Sequence, residues 1–111
     1  MNRKDYMQFH RECCDRMIKI TEAKNQDYAG DGTDAFANFS RVAAMGIATT
    51  EQGFLTRMLD KLSRLSSFVS KGFLAVKDES VEDTLLDLAN YCLLFAGYLR
   101  SKRALDPKEE G

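Results

Sequence analysis

Apolar positions recur through residues 79–99 (ESVEDTLLDLANYCLLFAGYL) with a helical period. At 100° per residue, Val81, Leu85, Leu88, Cys92, Phe95 and Leu99 share one sector, spaced alternately four and three apart. Asp83, Asp87 and Asn90, and then Leu94, run along the opposite line. No residue from Leu88 to Tyr98 is charged, which predicts a helix central to a bundle. A second pattern covers residues 50–71, with Leu55, Met58, Leu59, Leu62, Leu65 and Val69 as its core stripe. Arg57, Asp60, Lys61, Arg64 and Lys71 occupy its other face. Thr49 and Gln52 are spaced as a capping box, and Gly72 is a stop. A first helix is predicted from Tyr6 to about Asn25 on Tyr6, Phe9, Cys13, Met17 and Ile20. A short one, over 37–46, carries Phe39, Val42, Ala43 and Met45 and ends at Gly46. Residues 72–78 read as a connector, and the charged tail after Leu99 reads as frayed. Together these patterns predict an all-α, single-domain helical bundle of about four helices, with an ordered core over about 5–100.

Composition narrows this picture. The chain has 111 residues, enough for one core, with one proline (Pro107) and no tryptophan. A net charge of −1 gives no strong pull toward nucleic acid or an anionic membrane. No apolar run is long enough to span a bilayer. The opening residues carry too many charges for a signal peptide. Three cysteines, two of them adjacent, argue against a disulfide framework and for a reducing cytoplasm. His10, Cys13 and Cys14 invite a metal reading, but a closed zinc site needs about four ligands. Cys13 and Cys92 sit on apolar stripes and read better as buried structural thiols.

The candidate chemistry lies in two places. Residues 25–40 (NQDYAGDGTDAFANFS) read as a long loop rich in Gly and Asp, and long ordered loops are often functional. The loop lacks the acid spacing of an EF-hand and the Gly-Lys-Ser/Thr of a P-loop. Its aromatics, Tyr28, Phe36 and Phe39, either stack on a planar ring or plug the core. The second place is the acid line of the last helix. Asp83 belongs to Ser80-Val81-Glu82-Asp83, which resembles a capping box, so it either caps the helix or joins a site. Asp87 lies past the reach of the cap, with Asn90 on the same face. An acid pair on a central helix has to be hydrated, paired or bound to a cation. On the preceding helix, Arg57, Lys61 and Arg64 either make ordinary ion pairs with Asp60 or form a cationic face for phosphates.

Four strings resemble a family of small phage- and prophage-type proteins, the nucleotide modification associated domain 1 family. They are Lys24-Asn25-Gln26-Asp27-Tyr28, Phe36-Ala37-Asn38-Phe39, residues 57–65 (RMLDKLSRL) and residues 79–91 (ESVEDTLLDLANY). The layout is similar, more distantly, to the MazG-like all-α nucleoside-triphosphate pyrophosphatases, which are usually oligomeric and hold Mg²⁺ on carboxylates of facing helices. The chain departs from their pattern. It offers Asp60 in place of a glutamate cluster and Asp87-x-x-Asn90 in place of E-x-x-D, with Asp83 one turn earlier.

The first reading implied is a Mg²⁺-dependent nucleoside triphosphate pyrophosphohydrolase. In it, Asp83 and Asp87 are catalytic and hold the metal with Asp60. Arg57, Lys61 and Arg64 neutralise phosphates, and Asn90, Asn38, Tyr28, Asp27 and Lys24 line the substrate site. The second is a non-catalytic nucleotide-binding or sequestering protein, favoured by the thin acid count. The third is a helical interaction module. A homo-oligomer, a dimer or larger, is expected from the low charge of the last helix.

Overall fold

The computed structural model describes residues 1–29, 34–74 and 80–105; the side chains of 25–29 and 105 are outside the description. Every regular element among these residues is a helix: α1 (Arg3–Ala29), α2 (Ala37–Ala44), α3 (Thr50–Lys71) and α4 (Val81–Leu105). The chain divides into two compact units, Met1–Ala35 and Phe36–Gly111.

In the first unit, the Asn2 Oδ1 caps α1 by accepting from the Asp5 N–H at 2.8 Å. Tyr6 lies within ring-contact range of Phe9 and His10. The helix continues through Asn25 to Ala29, four residues beyond the predicted end. Nothing in Asn25-Gln26-Asp27-Tyr28-Ala29 breaks a helix, and the first glycine comes only at Gly30.

The second unit holds α2, α3 and α4. Thr49 and Gln52 form the expected capping box, with the Gln52 N–H donating to Thr49 Oγ1 at 3.0 Å and the Thr49 N–H to Gln52 Oε1 at 2.9 Å. α3 stops at Gly72, whose φ of 84° is the left-handed conformation glycine adopts without strain. Ser80 caps α4, with its Oγ accepting from the Asp83 N–H at 3.0 Å. α4 then runs past the predicted end at Leu99 to Leu105. Ser101-Lys102-Arg103-Ala104 suits a last helical turn, and two basic residues there complement the helix dipole.

The core is aromatic. Phe54 is completely buried, stacked on Phe39 at 4.0 Å between ring centroids and on Phe95 at 4.8 Å. Tyr91 meets Phe39 edge-on, and Tyr98 meets Phe36 in the same way. Phe36 and Phe39 therefore serve the core, one of the two uses their sequence allowed. α2 approaches α3 closely at Gly53, where a Cβ would stand 3.1 Å from Val42 Cγ2. It reaches α4 at Gly97, where a Cβ would stand 3.5 Å from Phe36 Cζ.

The predicted stripes are covered only in part: Met58 of the α3 stripe and Phe95 of the α4 stripe pack on the core, and other members do not. On α3, Leu55, Leu59, Leu62 and Val69 are exposed, while Phe54 and the half-buried Met58 and Phe68 turn inward. On α4, Leu85, Cys92 and Leu99 are exposed, while Thr84, Leu86, Asn90 and Tyr91 are buried. Cys92 is thus not a buried structural thiol. A wheel identifies the apolar side of a helix, but the neighbour that packs on it decides which side is covered.

Candidate functional site

The inward turn of α4 brings its polar line against α3. Lys61 Nζ lies 3.2 Å from Asp87 Oδ2, with the two side chains only 12% and 18% exposed. Lys61, expected on the outer face, is therefore turned inward. Further out, Arg64 pairs with Asp60 one turn away at 3.3 Å, the ordinary helical pair that the spacing allowed. Arg57 is exposed.

Asn90 lies three residues beyond Asp87 and so on the same side of α4. It is only 9% exposed, and its Nδ2 has no hydrogen-bond partner among the described residues. An unsatisfied buried donor costs about 1–3 kcal/mol, so such an atom calls for a partner. Asp83, one turn before Asp87, is engaged at the helix start. Its N–H donates to Ser80 Oγ, and its Oδ2 accepts from the Ser80 N–H at 3.3 Å. The capping role considered for Asp83 is therefore the one its geometry gives it.

These groups share one side of the α3–α4 pair. Arg57, Lys61 and Arg64 follow Gly53 at steps of four, four and three, and Asn90 precedes Gly97 by seven. Gly53 and Gly97 both face the α2 segment. By helical spacing the polar side chains therefore lie toward the α2 side of the pair. Asn38 of α2 is half-buried. Lys24, also half-buried, belongs to the first unit, and the side chains of Asp27 and Tyr28 lie outside the described residues.

A second polar link between α3 and α4 was not anticipated. Tyr98 Oη donates to Glu51 Oε1 at 3.1 Å, and Lys102 Nζ reaches Glu51 Oε2 at 3.2 Å. Partial burial pushes the Glu51 carboxyl up, but the hydrogen bonds from Lys102, the backbone and Tyr98 outweigh it and hold the group below its ordinary 4.5. The one trace of this link in the sequence is that Tyr98 and Lys102 stand one turn apart on α4.

The donor set does not suit a resident Mg²⁺. Asp60 and Asp87 face cations, and Asp83 closes a helix cap. Among the described residues, no three His, Cys, Asp or Glu side chains stand together as metal ligands would. No described helix is long and apolar enough to cross a membrane. No protein-family model, curated protein or solved structure matches the chain.

Proposed function

We propose that this is a nucleotide-directed protein, and that it binds its ligand at the polar side of α3 and α4 around Asn90. The observation that carries the reading is the buried Asn90 amide, without a hydrogen-bond partner among the described residues, one turn along α4 from the Asp87–Lys61 pair. The amide supplies a directional donor for an oxygen or ring nitrogen of a base or sugar. Arg57 is exposed, and Lys61 and Arg64 meet phosphate oxygens by exchanging Asp87 and Asp60 for them. Asp87 holds the Lys61 ammonium in place across the α3–α4 contact. The resemblance of four strings to the nucleotide modification associated domain 1 family suggests the same ligand class, and three of those strings contain Asn38, Arg57, Lys61, Arg64, Asp87 and Asn90.

Binding without chemistry is the form the geometry favours, because the three carboxylates are already engaged. Metal-assisted cleavage of a triphosphate is the second reading. It requires Asp87 to give up Lys61 and Asp83 to leave the Ser80 cap before either could hold Mg²⁺. Thermal-shift measurements with nucleoside and deoxynucleoside triphosphates, each with Mg²⁺ and with chelator, decide between the two. The expected result is a rise in melting temperature under both conditions, because binding stabilises the folded chain by mass action. A rise confined to Mg²⁺ moves the assignment to the pyrophosphohydrolase. No rise with any nucleotide rejects both.

A further inference from the structure

The apolar stripes of α3 and α4 lie on the same side of the helix pair. Gly53 and Gly97 face the α2 segment. Leu55 and Leu99 each lie two residues beyond them, about 200° further round. Both stripes therefore face away from α2, next to each other. Leu55, Leu59, Leu62 and Val69 on α3, with Leu85 and Leu99 on α4, range from 44% (Leu99) to 82% (Val69) exposed.

We infer that this face docks a second copy of the chain, hairpin against hairpin, to close a four-helix bundle. Three observations select that occupant. The first is spacing. The exposed positions 55, 59, 62, 66 and 69 of α3 alternate steps of four and three, and the exposed positions 85, 92 and 99 of α4 recur every seven. That is the seam along which helices pack knobs into holes, and two such hairpins bring four seams to one axis. The second is charge. Those eight positions hold six apolar residues, one serine and one cysteine, and none is charged. A copy of the same face meets it with no like charges opposed and none stripped of water. The third is area. The six side chains leave roughly 600 Å² of apolar surface per copy, against about 800 Å² per partner, a little over half of it apolar, in a standard interface.

Sedimentation equilibrium and light scattering on the full chain, over micromolar concentrations, test this. The wild type is expected at twice 12.6 kDa. The double variant Leu59→Glu/Leu85→Glu should raise the dissociation constant about 30-fold or more. Leu93→Glu changes a leucine 61% exposed on the other side of α4 and should leave the mass unchanged. If the glutamates prevent folding, Leu62→Ser is read the same way, as a weaker dimer with wild-type helicity by circular dichroism. A wild type that is monomeric throughout overturns the inference. So does a Leu93→Glu variant that dissociates as readily as the double variant.

Discussion

Asn90 is the residue on which the binding proposal turns. Leucine there would remove a donor that has no partner among the described residues and keep much the same shape, a change that is ordinarily neutral or stabilising. Asn90→Leu should therefore melt at or above the wild-type temperature and lose the stabilisation that nucleotides confer. Scanning calorimetry with and without triphosphates checks both halves, and a variant that melts lower while still responding to nucleotide would mark Asn90 as structural. Asp87 and Asn90 were legible in the sequence because no helix cap reaches the second turn of α4. Phe54 was missed because it adjoins the leucine stripe of α3, and its burial is set by Phe39 and Phe95, far away in sequence. Glu51 was missed for the same reason, with partners 47 and 51 residues distant.

Among the elements, the starts of α3 and α4 were the most legible, since capping is local chemistry, whereas α1, capped by Asn2, begins at Arg3 and not at the predicted Tyr6. Thr49 with Gln52, and Ser80 with Asp83, close their boxes within three residues. Helix ends were less so, because α1 and α4 run until something stops them and the Asp and Lys residues near their ends do not. The tie between α3 and α4 at Glu51 predicts a pH dependence. Its carboxyl titrates lower when folded than the 4.5 of a free side chain. The stability it adds is therefore present above that value and is lost as pH falls through its folded pKa. The wild-type melting temperature should fall between about pH 5 and 3 more steeply than that of Glu51→Gln. Parallel curves would show that the tie adds nothing.

At the scale of the whole molecule, the all-α class was readable from the helical periods, but the covered sides were not. The polar line of α4 found its partner in Lys61 on α3, and the leucine stripes face outward on the side away from α2. If a second copy covers that face, folding and association are linked. The melting temperature should then rise with protein concentration, and calorimetry across a dilution series reads this directly. A concentration-independent midpoint would separate folding from association. The two ties between α3 and α4 also act as a direction code. α3 carries its acid, Glu51, ahead of its base, Lys61, and α4 likewise carries Asp87 ahead of Lys102. Laid antiparallel, each acid meets a base. Laid parallel, acid would oppose acid and base would oppose base, so the same four side chains that fasten the hairpin also reject its mirror arrangement.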